Sequence, residues 1–411
     1  MDPSRYIYAD NAATTPLSPA ALDAMMPYLT TDFGNPGGIH RVAKQAASDL
    51  NALRNKFAEL IGADSPRHVL FTSGGSESDT WAITSAVEHW LHKHPADAPA
   101  RIITTPIEHH AVLRSCEYLQ DAGRAKVILL PVDEYGFVDP HNLDKLLGSL
   151  HQQDLEKGAD APPAALVSVM LANNEVGTIE PVRELASIAH AHGVPLHTDA
   201  VQAVGHIPVS LTELGADALS LSGHKFHGPR GTGALIVSES FPLRSLIQGG
   251  EQEQGLRAGT ENLAGIAGMT AALAEASASL SSTMKRVATQ RDTLVHALLK
   301  TVANIKLTGA PLGDRRLPSI ASFVIKDIDA ELLCVLLDKA GIAAATGSAC
   351  NTGSTEPSHV VTALGFTDSA WSSGTLRLSL ADNITPEDIQ LLIERVPPAI
   401  KRARLLSSHS L

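Results

Sequence analysis

The chain has 411 residues, of which 44% are apolar, 18% charged and 4% aromatic, so it can bury a sizeable core and disorder is excluded as its main state. With 32 basic and 44 acidic residues, the formal net charge is −12, which argues against binding to nucleic acid or to an anionic membrane. The length favours two domains or one large α/β unit.

The number of cysteines and the lengths of the apolar runs predict the cellular compartment of the protein. Three cysteines are too few for a disulfide framework, and no apolar run approaches the roughly 18 residues of a membrane span. The N-terminus carries no export pattern. We therefore expect a soluble, cytoplasmic protein with free thiols.

Strand-like and helix-like segments alternate through most of the chain. Ser18-Pro19 predicts a helix start, and 41–61 forms a long amphipathic pattern that ends at Gly62. Because helical patterns such as 182–192 separate many of the apolar runs, we predict a mostly parallel sheet covered by helices on both faces. The predicted strands are 68–73, 102–105, 127–132, 166–172, 196–198, 218–221 and 234–237.

The pattern changes after Asn262. A long helix rich in Ala, Ser and Leu extends from there to about Lys300 and could connect two domains. Beyond it, the runs 320–325 and 376–381 predict strands, while 330–339 and the segment after Thr385-Pro386 are helical. These elements predict a smaller α+β domain.

Two kinds of motif contain residues that could bind a ligand or take part in catalysis. Residues 72–78 combine a strand end, two glycines and a helix start, where free backbone N–H groups attract a phosphate. Lys225 and Asp199 each follow a predicted strand, at the sheet edge where open α/β folds bind ligands. Such a lysine can form a Schiff base, such an aspartate can hold a pyridine nitrogen protonated, and His109 could stack on a flat ring. Taken singly, each has an ordinary structural explanation.

The combination is far more specific, and several further motifs accompany it in order. The sequence resembles the cysteine desulfurases of the class V aminotransferase family, which are pyridoxal-phosphate enzymes of fold type I. The resemblance covers nearly the whole chain. It is carried by Tyr8–Thr15, Phe33–Pro36, Asn173–Gly177, His197–Gln202, Ser222–Lys225, Arg257–Thr260, Gly347–Cys350 and Leu376–Ser379.

The resemblance implies an α/β architecture in which a large domain, residues 14–262, holds a mostly parallel seven-stranded sheet between helices. A small α+β domain, 1–13 and 263–411, would carry the loop of the catalytic cysteine. Lys225 would form the Schiff base and move protons, His109 would stack on the ring, and Cys350 would be the nucleophile. The resemblance also implies that Asp199 contacts the ring nitrogen of the cofactor and that Asn174 and Gln202 contact its phenolic oxygen. Its phosphate would be bound by Gly75, Ser76, Ser222 and His224, together with Thr260 of the partner subunit. The carboxylate of the substrate would be bound by Arg377 with Asn174.

The implied reaction converts L-cysteine to L-alanine and leaves the sulfur atom on Cys350 as a persulfide. The implied partners are a second copy of the chain and a sulfur acceptor, either an iron–sulfur scaffold protein or the route to thiolated RNA. A selenocysteine lyase or another class V enzyme stays open as an alternative, although a plain transaminase needs no nucleophilic thiol.

Two other classes of protein could contain part of this residue set. A metal-dependent hydrolase could use the histidines and the carboxylate of 190–199, namely His190, His192, His197 and Asp199. A silent sulfur carrier would not need the complete set of catalytic residue types. We expect no metal site, and we expect Cys334, in the apolar run 332–337, to be inert.

Overall fold

A computed structural model describes residues 5–94, 100–156, 162–347 and 357–407. Within these ranges the helices are α1 (Pro19–Thr30), α2 (Arg41–Ile61), α3 (Gly75–Lys93), α4 (His110–Asp121), α5 (Pro140–Glu156), α6 (Val182–Ala191), α7 (Leu211–Leu214), α8 (Leu263–Thr301), α9 (Ala330–Lys339), α10 (His359–Ala363), α11 (Ser369–Ser372) and α12 (Pro386–Ser407). The strands are β1 (Ile7–Tyr8), β2 (Val69–Thr72), β3 (Ala100–Thr104), β4 (Ala125–Leu129), β5 (Leu166–Ser168), β6 (Leu196–Asp199), β7 (Ala218–Ser222), β8 (Gly233–Val237), β9 (Ile305–Leu307), β10 (Ile320–Ile325), β11 (Ile342–Ala343) and β12 (Thr375–Ser379).

The largest sheet has seven strands in the order β2-β8-β7-β6-β5-β3-β4. Only β8 runs antiparallel to its neighbours β2 and β7, while the other adjacent pairs are parallel. The predicted fold class, an α/β protein with a mostly parallel sheet, is therefore confirmed. Because β5, β6 and β7 are parallel, their carboxyl ends share one edge of the sheet.

Both faces of this sheet are covered by apolar side chains. Along β2, Val69 and Phe71 join the core cluster on one face, whereas Leu70 joins the cluster on the other face. Helices α3 and α4 cover the second face through residues such as Trp81 and Val112. The alternation is what a strand of period two produces when it is buried between two helical layers.

A second core lies around a three-stranded antiparallel sheet, ordered β12-β10-β9. It gathers side chains from these strands, from α9 and α12, and from the second half of α8. The short strand β1 pairs with β11, so Ile7 and Ala9 belong to this core as well. The predicted domain boundaries, 14–262 against 1–13 and 263–411, stay a prediction.

Helix α8 links the two cores, since its first residues pack in one and its last turns pack in the other. By length and composition it could also cross a membrane, a property that the sequence patterns did not reveal. However, 56% of its most apolar window is buried inside the fold, and it packs on α1, α2 and α12. In this structure α8 is a core helix.

Two predicted strands are shorter than expected. The runs 127–132 and 166–172 form strands only over Ala125–Leu129 and Leu166–Ser168. Their common neighbour β3 ends at Thr104, so the pairing of both strands with β3 stops there, although Val169 and Leu171 still donate backbone hydrogen bonds to His197 and Asp199 of β6. Apolar composition continues past the ends because these segments stay buried at the sheet edge.

Candidate active site

A cavity of about 300 Å³ opens at the carboxyl ends of the parallel strands. This volume is at the lower end of the roughly 300–1,000 Å³ typical of ligand pockets. Ten of the predicted site residues line it, namely Gly75, Ser76, His109, Asn174, Asp199, Gln202, Ser222, His224, Lys225 and Arg377. The sequence therefore identified most of the polar lining, although it offered no role for Ala12, Ala13, Asp79, Met170, Ala172, Val201 or Gly347.

Lys225 ends a 3₁₀ turn that follows β7 directly. Its Nζ donates to the carbonyl oxygens of Ala12 and Ala13 at 2.6 and 2.9 Å. The side-chain amide of Gln202 donates to the same Ala12 oxygen at 2.8 Å. The N-terminal segment thus orients the lysine amine, which explains why the motif 8–15 accompanies the lysine.

The phosphate motif folds as the sequence predicted. Gly75 and Ser76 are the first two residues of α3, whose N-terminus carries the partial positive charge of the helix dipole. A Cβ atom on Gly75 would lie only 2.5 Å from Cγ2 of Val201, so a larger residue here would require Val201 to move. Ser222 lies on the opposite side, within van der Waals distance of the same position. The arrangement suits an anion that binds backbone amides and hydroxyl groups.

Asp199 and His109 approach each other across the cavity. The carboxylate of Asp199 accepts from the backbone N–H of Val201 at 2.9 Å. Burial raises its pKa, whereas the proximity of His109 and Lys225 acts to lower it. Burial also lowers the pKa of His109, and its Nδ1 accepts from the N–H of Ala111. The neutral imidazole therefore carries its proton on Nε2.

Arg377 projects from β12 and is buried. Its Nη2 donates to Asp10 at 2.8 Å, and its Nη1 donates to the carbonyl oxygen of Asn174 at 2.9 Å. Among the described residues, its Nε has no hydrogen-bond partner. A guanidinium with a free donor at the wall of a cavity is suited to binding a carboxylate.

Two buried acids beside the site were missed by the sequence analysis. Glu108 accepts from Thr105 and from the N–H of Met170, and burial raises its pKa to about 8. Asp79 is buried on α3, and one of its oxygens has no hydrogen-bond partner in the described part of the chain. The helical period could have revealed Asp79, because it lies one turn after Gly75 on the same face.

Two predicted residues remain, one of which lies outside the part of the chain that the structure describes. Thr260 is exposed and contributes nothing to the cavity of its own chain, so its predicted role toward a partner subunit stays a prediction. Cys350 lies outside the described residues, and its role also stays a prediction.

The residues of the metal-hydrolase alternative are dispersed. His190 pairs with Asp217 and His192 with Asp144, both away from the cavity. His197 is fully buried, and burial lowers its pKa to about 3. These contacts remove two of the four proposed ligands from the site.

The cavity fits pyridoxal phosphate in the chemistry of its donors. It offers a lysine amine, a buried carboxylate, a helix N-terminus with Ser76 and Ser222, and a buried guanidinium. The cradle at Gly75, which a Cβ atom would fill, allows an anion to approach the backbone closely. Each predicted contact type therefore has a residue of this chain in the cavity.

Comparisons with known proteins agree with this arrangement. The family model "Aminotransferase class-V" matches residues 7–392. The chain is 41% identical to "Cysteine desulfurase IscS" of Methanosarcina thermophila and 40% identical to "Cysteine desulfurase NifS" of Azotobacter vinelandii, in each case over 98% of this chain and 94% of the relative. Among solved structures, a "NIFS-like protein" superposes with a TM-score of 0.85 at 34% identity, covering 97% of this chain and 100% of that chain.

Proposed function

The chain belongs to the class V aminotransferase family and, within it, to the cysteine desulfurases, and on this basis we propose that it removes sulfur from L-cysteine with pyridoxal phosphate as cofactor. The observation that carries the proposal is the single cavity that gathers Lys225, Asp199, His109 and Arg377. These four supply the amine, the buried acid, the imidazole and the guanidinium that such a reaction requires.

When bound, pyridoxal phosphate supplies an electron sink that stabilises negative charge at the α-carbon of an amino acid. Lys225 would hold its aldehyde group and move the α-proton of the substrate. Asp199 would hold the ring nitrogen, and the first turn of α3 would bind the phosphate together with Ser222 and His224. Burial and Lys225 lower the pKa of His224 to about 4, so this histidine would contribute a neutral donor.

Arg377 would bind the carboxylate of cysteine and set the position of its sulfur atom. In the net reaction, the C–S bond of the substrate breaks and an S–S bond forms on a protein thiol. A hydrogen atom replaces sulfur on the β-carbon, so the products are alanine and a persulfide. No further oxidant or reductant is needed, because the two thiol hydrogens are conserved in these products.

Cys350 is the thiol that we propose as the acceptor, since it follows the cavity residue Gly347 by three positions. The two other cysteines are poor nucleophiles. Burial raises the pKa of Cys116 and that of Cys334 to about 12, and the thiolate is the reactive form. A thiol with so high a pKa is almost entirely protonated near neutral pH.

The substitution Cys350→Ala tests the proposal. The variant should still bind pyridoxal phosphate, because Lys225, Asp199 and the phosphate site are unchanged, but production of alanine and persulfide should fall to background. With limiting cysteine, mass spectrometry of the wild-type protein should find one added sulfur on the peptide of Cys350, and a reductant should remove it.

Matched controls are Cys116→Ala and Cys334→Ala, which should both retain activity. Sulfur found on either of these residues, or wild-type sulfur release by the Cys350 variant, would overturn the assignment of Cys350. Turnover of selenocysteine alone by that variant would instead favour a selenocysteine lyase.

The persulfide must pass to an acceptor, and we propose an iron–sulfur scaffold protein or a component of RNA thiolation in the cytoplasm. We also propose a homodimer, in which Thr260 of the partner subunit completes the phosphate site. Its exposure and its absence from the cavity of its own chain support this arrangement.

A further inference from the structure

Asp79 and Asp199 form a pair of buried carboxyl groups beside the proposed cofactor site. One oxygen of each, together with a ring nitrogen of His109, lies within 4.8 Å of the others. Both side chains are at least nine-tenths buried. Two carboxylates this close in a poorly solvated site cannot both ionise at low cost, so one of them binds a proton near neutral pH.

The surroundings of the two acids differ in charge. Asp199 faces His109 and Lys225, which favour its anionic form. Asp79 lies 3.6 Å from Nε2 of His197, and this imidazole is neutral because its burial lowers its pKa to about 3. The other acid near Asp79 is Glu108, whose pKa burial raises to about 8, so it is mostly neutral near pH 7 and disfavours an ionised Asp79 further where it is charged.

The hydrogen-bond partners around Asp79 are compatible with a neutral carboxyl group. A hydrogen bond with Ser220 acts to lower the pKa of Asp79, against the larger effect of burial, which raises it. The hydroxyl of Ser220 is also 2.9 Å from His197 Nε2, and the other nitrogen of His197 is 2.9 Å from the hydroxyl of Ser168. The hydroxyl of Ser220 has one hydrogen to donate, so it can donate to His197 while it accepts from protonated Asp79. This chain of neutral groups contains no cation that could balance an ionised Asp79.

We propose that Asp79 is a positioning residue: a neutral carboxyl group that leaves the single negative charge of the pair on Asp199. The proposal rests on the proposed cofactor, because the ring nitrogen is the group toward which that charge would act. If Asp79 were instead the ionised member of the pair, Asp199 would carry the proton and could not supply the negative charge to the ring nitrogen.

The substitutions Asp79→Asn and Asp199→Asn separate the two roles. Asparagine mimics a neutral carboxyl group, so Asp79→Asn should bind pyridoxal phosphate within about threefold of the wild type. Asp199→Asn removes the charge and should weaken binding by at least about tenfold, which is typical of one charged hydrogen bond. Affinity is measured by equilibrium dialysis of cofactor-free protein. The visible absorption of the bound cofactor, followed from pH 6 to pH 9, should titrate alike in wild type and Asp79→Asn.

Infrared spectroscopy of the cofactor-free protein supplies a readout that does not depend on the proposed function. The difference spectrum of wild type minus Asp79→Asn near neutral pH should contain the carbonyl stretch of one protonated carboxyl group. Asp79→Ala serves as a second variant if the asparagine variant does not fold. Thr80→Ala is the matched control on α3, since its hydroxyl bonds to Ser115 rather than to the site.

Three results would overturn the role of Asp79. They are a difference spectrum without a protonated carboxyl band, a loss of cofactor affinity in Asp79→Asn as large as that in Asp199→Asn, and a bound divalent metal that wild type retains and Asp79→Asn loses. If wild-type protein does not bind pyridoxal phosphate at all, the proposed function fails, while the infrared result still decides the protonation of Asp79.

Discussion

The guanidinium group of Arg377 is already engaged by two partners within its own chain. Asp10 balances its charge at 2.8 Å, and the carbonyl oxygen of Asn174 fixes its plane. These bonds use two of its five N–H donors, and the buried Nε has no hydrogen-bond partner among the described residues. These two partners hold the guanidinium group at the wall of the cavity, where a carboxylate ligand could bind.

The substitution Arg377→Ala should weaken cysteine binding and leave cofactor loading intact. Removal of one partner of a buried charged hydrogen bond costs about 2–5 kcal/mol, so an increase of at least about tenfold in KM is expected. Steady-state rates at varied cysteine give KM, and the visible absorption of the protein gives cofactor content. Arg377→Lys is the matched variant that keeps the charge but not the bidentate geometry, and it should lie between the two. An unchanged KM in the alanine variant would refute the role.

Single site residues were predicted well where the residue type and its place at the end of a predicted strand indicated the same role. Asp199 and Ser222 end strands that are parallel neighbours and Lys225 follows the second of them, so the order of the motifs already brought them to one edge. Asp79 was missed because a buried acid on a helix leaves no local signal apart from its spacing from Gly75. The close approach of Val201 to Gly75 could not be predicted either, because the two residues are 126 positions apart in the sequence.

The segment between β5 and α6 affects both the stability of the folded chain and the lining of the candidate active site. Within it, Glu175 is buried and accepts a hydrogen bond from Ser358 of the turn before α10. A Cβ atom on Gly347 would lie 2.8 Å from a Glu175 oxygen, so a larger residue at 347 would displace the Glu175 carboxyl group. Burial raises the pKa of Glu175 from 4.5 to about 7, although Ser358 and Arg377 act to lower it.

This raised pKa predicts a pH-dependent stability. The folded chain holds the Glu175 proton more tightly than the unfolded chain, so the contribution is fully present below pH 4.5 and is lost as the pH rises to about 7. The loss amounts to roughly 3 kcal/mol, since each tenfold change in proton affinity is worth about 1.4 kcal/mol. Urea unfolding at several pH values should show a smaller decline for Glu175→Gln than for wild type. The exposed Glu134→Gln is the control, and equal declines in all three proteins would contradict the prediction.

Elements were predicted best where a local signal marks their ends. Helix α2 spans Arg41–Ile61 as predicted, because Gly62 adopts the left-handed conformation that ends a helix. Strand ends were predicted less well, since β5 stops close to where its pairing with β3 stops and not where its apolar run stops. The pairing of β1 with β11 joins residues far apart in sequence, and no local pattern could have indicated it.

In the complete fold, the described chain presents an unusual set of exposed apolar residues close to its N-terminal helices. Phe33 and Ile39 are 75% and 90% exposed, and Leu29 and Met26 on α1 are exposed as well. Large exposed apolar side chains in one region are typical of protein–protein interfaces. Together with the exposed position of Thr260, they favour the proposed homodimer.

Subunit mixing tests whether Thr260 acts on the site of the partner. Lys225→Ala should lack activity, and Thr260→Ala should need more pyridoxal phosphate for saturation because the phosphate loses a hydroxyl donor. If Thr260 reaches across the interface, a mixed dimer of the two variants has one site with both substitutions and one site with neither. That dimer, purified through two different affinity tags, should show about half of the wild-type activity and the wild-type requirement for cofactor. If instead Thr260 served its own chain, the only site with Lys225 would lack Thr260, and the mixed dimer would keep the weak cofactor affinity of the Thr260→Ala parent.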